Sequence, residues 1–323
     1  MPSVNRIYFL VGILSGLLWG MNDVFTNLLG LHVAGSLFVF SLIFALILAL
    51  LQDGISSCAI FCSYFLSKNI SVITKDGYAG KRYLFFAAVL AGPLGLLAGI
   101  LGIKYAGAVY AGAITACYPI IALLGARFFL QEQLSNVKYT GILFSVIALI
   151  AISIEGGYGA GVPKLLGIMF SLIATFGWGV ESILFTKAYR LNNCNSSSLL
   201  AIRQFYSALL YLFILSILLL INKSWVVAVM GQLHHIVLLT ACVASACISY
   251  VTYYFVIKKL GASLGTMFNS TFIFWSALIS LLVGLSHVTM WFWLWALVML
   301  GGIFLSYHSP SAINLSVARQ LDN

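Results

Sequence analysis

LFVFSLIFALILALL, residues 37–51, is a run without a charged side chain, and residues 137–154 are similar, with Lys138 alone at the edge. A helix rises 1.5 Å per residue, so about 20 apolar residues cross the ~30 Å hydrocarbon core of a bilayer. The chain is 62% hydrophobic and 7% charged, whereas soluble domains are about 25% charged. The sequence therefore predicts an all-α polytopic membrane protein.

Hydropathy divides the chain into ten apolar segments, which we expect to be ten transmembrane helices. Their ranges are 7–29, 32–51, 82–104, 106–129, 137–154, 164–188, 199–221, 234–257, 263–284 and 288–308. The one long connection, 52–81, contains an apolar piece, 55–66, that is too short to cross. We expect this insertion to place a short helix in the membrane interface.

The basic residues predict the orientation of these segments. With the N-terminus in the cytoplasm, only three of the 16 Lys and Arg residues lie outside, namely Lys104, Lys164 and Lys223. The positive-inside rule favours this arrangement. Because the number of segments is even, both termini are predicted on the cytoplasmic side, and 309–323 would be a cytoplasmic tail.

The two halves of the chain, 1–154 and 164–308, share two short motifs in the same order. LWGMN at 18–22 matches GWGVE at 177–181, and IKYAGA at 103–108 matches IKKLGA at 257–262. Both pairs are five predicted helices apart, and because five is odd the second half would insert upside down. Inverted repeats are typical of secondary transporters, with the substrate at the repeat interface. Chance similarity of small and aromatic residues is the alternative.

Other classes of function find little support in the sequence. The net charge of +9 comes from scattered residues, so we expect no nucleic-acid partner. The cysteine pairs Cys58/Cys62 and Cys242/Cys247 lack zinc-site spacing, and we expect neither a metal nor a cofactor. HExxH and GxxxxGK[ST] are absent. We therefore expect no enzymatic activity.

Two of the seven acidic residues, Asp23 and Glu181, fall inside predicted helices. The other five are assigned to loops or the tail: Asp53, Asp76, Glu132, Glu155 and Asp322. A charge inside the bilayer costs at least ~2.5–3.5 kcal/mol, so each of the two should face a cavity or a partner. The structural alternatives are hydrogen bonds to Asn22, Thr26 or Asn27 for the first and an ion pair with Lys187 or Arg203 for the second.

Aromatic residues accompany these acids. Trp19 is one turn before Asp23, and Trp178 is three residues before Glu181. An acid beside an aromatic face suits an organic cation, which is attracted by charge and by the ring quadrupole. Further aromatics at helical spacing include Tyr250 with Tyr253 and Tyr254, Phe268 with Phe272 and Trp275, and Tyr118 before Pro119. Packing against lipid or other helices is the alternative for any one of them.

Residues 102–150, GIKYAGAVYAGAITACYPIIALLGARFFLQEQLSNVKYTGILFSVIALI, resemble the end of an EamA domain of the drug/metabolite transporter superfamily. The Trp-Gly pair near the start of each half fits as well. The resemblance covers almost the whole chain. It implies two five-helix EamA repeats and transport by alternating access.

A narrower resemblance is to the LicB-type choline permeases, carried by LAGPLG at 90–95, Tyr118-Pro119, GWGVES at 177–182, IRQ at 202–204 and SYxxYY at 249–254. It implies uptake of choline, with the quaternary ammonium held among aromatic residues and an acid nearby. From the residues and the resemblance together, the candidate substrate-binding residues are Trp19, Asp23, Tyr118, Glu181, Tyr250, Tyr253, Tyr254 and Trp275.

The predicted function is uptake of a small amine or quaternary ammonium, such as choline, across a bacterial inner membrane. An exporter of amino acids or other metabolites is the alternative. A substrate with a carboxylate would need a donor, and the predicted interior offers no midspan Lys or Arg, only Asn22, Asn27, Asn269 and hydroxyls. A lipid-carrier flippase component is the third possibility. The expected partners are the small-molecule substrate and the lipid bilayer.

Overall fold

The computed structural model describes residues 2–33, 37–131, 135–156, 165–191, 194–285 and 289–308. Every regular element in these ranges is helical. The helices are α1 (Pro2–His32), α2 (Phe38–Leu66), α3 (Ile70–Ala91), α4 (Ala98–Thr115), α5 (Tyr118–Phe129), α6 (Asn136–Gly156), α7 (Leu165–Arg190), α8 (Ser196–Ile221), α9 (Lys223–Gln232), α10 (Ile236–Leu260), α11 (Ala262–Asn269), α12 (Phe272–Leu282) and α13 (Met290–His308). A π-helical segment, Gly92–Leu97, joins α3 to α4.

Seven stretches in the described part of the chain are long and apolar enough to cross a membrane. They are Arg6–His32, Phe38–Leu66, Gly80–Ala108, Leu165–Arg190, Ser196–Ile221, Ile236–Leu260 and Ala262–Leu282. Two shorter apolar helices, Tyr118–Phe129 and Met290–Ser306, accompany them. The prediction of an all-helical polytopic membrane protein is confirmed, while the division into ten crossings stays a prediction.

The connection predicted at 52–81 is helical, which corrects the expected interfacial insertion. The piece 55–66 continues α2 without a break, and α3 begins at Ile70. The polar residues that suggested a loop are buried in α2, and Ser57 donates a hydrogen bond to the carbonyl of Ala201 in α8 (2.8 Å). Because α8 covers this part of α2 and hydrogen-bonds to Ser57 and Asp53, the helix does not end at Leu51.

The two repeats bend at matching glycines. Gly107 (φ 81°, ψ 157°) and Gly261 (φ 86°, ψ 170°) occupy the same place in the motifs IKYAGA and IKKLGA. This backbone region is essentially closed to residues with a Cβ. The helical segments that follow these glycines end at Thr115 and Asn269, and new helices begin at Tyr118 and Phe272. The matched breaks show that each half builds the same two-part helix.

Packing between the halves is also reciprocal. Helix α1 packs on α10 and α12, while its counterpart α7 packs on α3, α4 and α5. Two further pairs, α2 with α8 and α6 with α13, join equivalent helices of the two halves. This arrangement is the one expected when two repeats are related by a pseudo-two-fold axis.

Glycines allow the closest approaches across this interface. A Cβ added at Gly20 of α1 would lie 2.6 Å from the carbonyl oxygen of Phe272 and 2.7 Å from Cβ of Trp275. The matching Gly179 of α7 would place a Cβ 2.6 Å from Cβ of Ile121 in α5. Small residues let helix backbones approach in a bilayer, and here they do so at equivalent positions of both repeats.

We expect Gly20→Ala and Gly179→Ala each to lower the free energy of unfolding by roughly 1–3 kcal/mol, because the added methyl overpacks a helix contact. The matched control is Gly301→Ala in α13, where nothing lies within 4 Å of the added Cβ. There we expect no loss, or a gain of roughly 0.5–1 kcal/mol from the helix preference of alanine. Thermal unfolding of the purified protein in detergent measures the difference, and equal stability of all three variants would contradict the interface described here.

Candidate functional site

A cavity lies between the repeats, where α1, α7, α8 and α10 meet the breaks at α5 and α11. Its lining residues are Trp19, Ala91, Tyr118, Trp178, Glu181, Arg203, Ser249, Tyr250, Tyr253, Tyr254, Asn269 and Phe272. The space open to the centre of a water molecule is about 30 Å³, within about 450 Å³ of space between atoms. That smaller volume has room for about two waters, so a larger ligand requires the surrounding helices to move apart.

Two tryptophans from matching motifs meet in the cavity wall. The rings of Trp19 and Trp178 lie edge to face with centroids 5.8 Å apart. Trp19 also contacts Tyr250 (5.2 Å), and Trp178 contacts Tyr118 (6.3 Å). Gly95 makes room for Trp178, because a Cβ there would lie 2.5 Å from the indole nitrogen. The aromatic part of the wall is therefore supplied by both repeats.

Glu181 places a carboxylate in this aromatic wall. The residue is 1% exposed, and its Oε1 accepts a hydrogen bond from the hydroxyl of Tyr254 (2.7 Å). The Tyr254 ring is held in turn between Phe185 (4.2 Å) and Tyr253 (4.8 Å). The carboxylate is thus oriented by one donor and still lines the cavity.

Arg203 is the cationic member of the wall, and it corrects the prediction that no midspan Lys or Arg is available to a substrate. It is 1% exposed and lines the cavity from α8. Its guanidinium lies over the rings of Tyr250 (5.3 Å) and Tyr254 (5.6 Å). Within the described residues, Nε and Nη2 have no hydrogen-bond partner. Hydropathy places Arg203 near a span end, but the first turns of α8 are buried by protein.

Asp53 neutralises this arginine from outside the cavity, which corrects its assignment to a loop. Its Oδ2 lies 3.5 Å from Nη1 of Arg203, and both side chains are fully buried. Gln204 donates to Oδ1 (3.3 Å) and Tyr211 donates to Oδ2 (3.4 Å). Helices α2 and α8 pack along their lengths. The Asp53 carboxylate, which hydropathy assigns to a loop, is therefore part of a buried polar cluster.

Asp76, also assigned to a loop, is a second buried carboxylate. It lies in α3, accepts a hydrogen bond from the backbone nitrogen of Asn195 (2.9 Å), and accepts another from the hydroxyl of Ser198. These contacts join α3 to the start of α8. Asp76 does not line the cavity, so its role is structural.

Six of the eight predicted site residues line the cavity together, namely Trp19, Tyr118, Glu181, Tyr250, Tyr253 and Tyr254. Asp23 lies instead in a separate narrow crevice, which it shares with Thr115 and one edge of Trp178. Trp275 packs against Phe274 (5.0 Å) and Gly20 outside the cavity.

Three of the residues offered as structural partners of the two acids contact other groups instead, whereas Arg203, also offered for Glu181, lines the same cavity. Asn22, offered as a partner for Asp23, donates to the carbonyl of Cys242 (2.9 Å), and Thr26 contacts the Cys242 sulfur. Lys187, offered as a partner for Glu181, lies over the ring of Tyr83 (5.6 Å).

Six further residues line the cavity without being among the predicted site residues, namely Ala91, Trp178, Arg203, Ser249, Asn269 and Phe272. The sequence contains evidence that could have identified two of them. Trp178 is the repeat mate of Trp19, and Arg203 is the one charged residue of the apolar run 199–221. The criterion that singled out Glu181, a charge within an apolar span, applies equally to Arg203.

Both halves of the chain match a known family. Residues 6–154 and 165–308 match the EamA-like transporter family. Protein LicB of Haemophilus influenzae is 24% identical over 269 residues, which cover 83% of this chain and 86% of that protein. A protein crystal structure with 17% identity superposes with a TM-score of 0.60 over 98% of this chain and 99% of its own, which shows a shared fold.

These matches confirm the resemblance carried by residues 102–150 and by the Trp-Gly pairs. They agree with the apolar helices and with the two-repeat packing around the cavity. This multi-pass membrane protein belongs to the EamA-like transporter family, whose members are transporters.

Proposed function

We propose that the protein is a secondary transporter that takes up a small organic cation, such as choline, by alternating access. The observation that carries the proposal is the buried carboxylate of Glu181 in a cavity walled by aromatic rings. Aromatic cages recognise quaternary ammonium groups through the negative faces of the rings. The resemblance of residues 90–95, 177–182 and 249–254 to the LicB-type choline permeases implies the same substrate class.

The charges around the cavity favour a cation. With all three groups ionised, Asp53 neutralises Arg203, and Glu181 contributes one negative charge that no described cation pairs directly. A monovalent cation would complete the balance. Electrical driving force alone suffices for uptake, because 100 mV is worth ~2.3 kcal/mol per charge, about a 50-fold accumulation.

The origin of the wall residues in both repeats supports alternating access. Trp19 and Trp178 belong to different repeats and touch across the cavity. Rocking of one repeat against the other would separate them and open the site to one side of the membrane at a time. The matched glycine breaks at Gly107 and Gly261 give both repeats the same jointed helix next to the site.

The proposed topology has ten spans with both termini inside, in a bacterial inner membrane. It places the α2–α3 turn in the cytoplasm and the short helix α9 outside. Ser67 in that turn and Ser224 at the start of α9 are both exposed, so each can report its side of the membrane.

In a variant whose six cysteines are replaced by serine, we expect a membrane-impermeant maleimide to label Ser224→Cys in intact spheroplasts. Ser67→Cys should be labelled only after permeabilisation, which serves as the positive control for both sites. Labelling of Ser67→Cys from outside would reverse the proposed orientation.

Ligand binding tests the charge of the site. A ligand at 100 times its Kd stabilises the folded state by about 2.7 kcal/mol, so we expect choline to raise the melting temperature of the purified protein. Glu181→Gln should abolish the choline shift, because it removes the negative charge and keeps the shape. Asp76→Asn is the matched control for loss of a buried carboxylate away from the cavity, and it should retain the shift.

Amino-acid export is the second candidate, and one observation favours it. Nε and Nη2 of Arg203 have no hydrogen-bond partner within the described residues. In this second function they would donate to a substrate carboxylate, and Glu181 would receive the ammonium. The same thermal panel therefore includes ethanolamine, glycine betaine, and neutral and aromatic amino acids. Stabilisation by amino acids without any by choline would favour this second function.

The aromatic wall has its own test. We expect Trp178→Leu to weaken choline binding by roughly 1–2 kcal/mol, a five- to thirty-fold rise in Kd. Trp293→Leu, at a 47% exposed tryptophan of α13, is the matched control and should leave Kd unchanged. Equal effects at both positions would show that the loss comes from general destabilisation.

A further inference from the structure

We propose that Asp53, which does not line the cavity, determines which charge class of substrate the site accepts, by neutralising Arg203. The inference rests on the proposed function and deepens it. The substrate class it assigns is a monovalent organic cation without a carboxylate. Asp53 acts through Arg203 and is a positioning residue.

Both members of the pair are buried within the protein. Asp53 is 0% exposed and Arg203 is 1% exposed. Three groups hold the carboxylate, namely Arg203, Gln204 and Tyr211, all on α8. Such a carboxylate is fixed between α2 and α8 and does not compete with Glu181 for a ligand in the cavity.

The pairing also limits what Arg203 offers to a ligand. Asp53 uses Nη1, and the rings of Tyr250 and Tyr254 flank the guanidinium. Nε and Nη2 have no hydrogen-bond partner within the described residues, and Arg203 lines the cavity. A planar guanidinium binds carboxylates well when it presents two adjacent donors and its full charge. With its charge balanced by Asp53, Arg203 attracts a substrate carboxylate weakly.

The charge balance then decides between two ligands of the same shape. With Asp53 ionised, the cluster of Asp53, Arg203 and Glu181 has one excess negative charge, which favours choline. Without the Asp53 charge, Arg203 and Glu181 cancel and present one positive and one negative group to the cavity. That arrangement suits a zwitterion such as glycine betaine, whose carboxylate replaces the choline hydroxymethyl group. A single buried carboxylate outside the cavity therefore separates the two specificities.

The experiment compares the Kd values of choline and glycine betaine for purified wild-type protein and Asp53→Asn. We expect the wild type to prefer choline and Asp53→Asn to lower that preference, measured as the ratio of the two Kd values, by at least about tenfold. Asp76→Asn removes a buried carboxylate that does not contact Arg203, and its ratio should equal that of the wild type. An unchanged ratio in folded Asp53→Asn would overturn the proposal.

The double variant Asp53→Asn/Arg203→Gln provides the rescue. It removes both charges of the pair and leaves Glu181 alone, so its preference for choline should return to the wild-type value or exceed it. Removing both partners also avoids leaving an unpaired buried charge. If Asp53→Asn does not fold, the proposal is therefore tested with this double variant. A double variant that folds but loses the choline preference would overturn the proposal.

The two proposals fail in different ways. If wild-type protein binds neither ligand, or prefers glycine betaine, the proposed uptake of a cation is wrong. If the wild type prefers choline but Asp53→Asn keeps the same ratio, the function stands and the role of Asp53 is wrong.

Discussion

The requirement that a buried charge must have a partner organises the centre of this protein. Asp53 on α2 is paired with Arg203 on α8, and Tyr254 on α10 donates to Glu181 on α7. The hydrocarbon core of a bilayer offers no water to solvate these groups, and burying an unpaired charge there costs several kcal/mol of free energy. These contacts join α2 to α8 and α7 to α10 in this conformation, and the cavity lies where these helices meet.

The scaffold around this centre is nearly symmetric, but its chemistry is not. Glu181 and Asn22 hold the same position in the motifs GWGVE and LWGMN. Asn22 donates to the carbonyl of Cys242 and serves packing, whereas Glu181 lines the cavity. The repeats thus supply matching joints and matching tryptophans, while only the second repeat supplies the charge that a cation would need.

Hydropathy patterns predicted the helices correctly but not the burial of charged residues. Long apolar runs predicted the helices well, because the cost of an unsatisfied backbone in lipid leaves few alternatives. The same pattern was misleading at Asp53. Local hydropathy suggests a loop there, but α8 packs against this part of α2 and buries the residue in the protein core. It also failed at Arg203, whose burial depends on neighbours distant in sequence.

Composition and periodicity alone were enough to specify a helical membrane protein built from two related halves, and the motif around Glu181 identified one wall of the site. Local sequence carries those features, because apolar length and repeated motifs are properties of consecutive residues. Which charged groups pair, and that Asp23 and Trp275 lie outside the cavity, was decided by the tertiary structure. Pairing depends on which helix faces come together, and those faces are brought together by residues far apart along the chain.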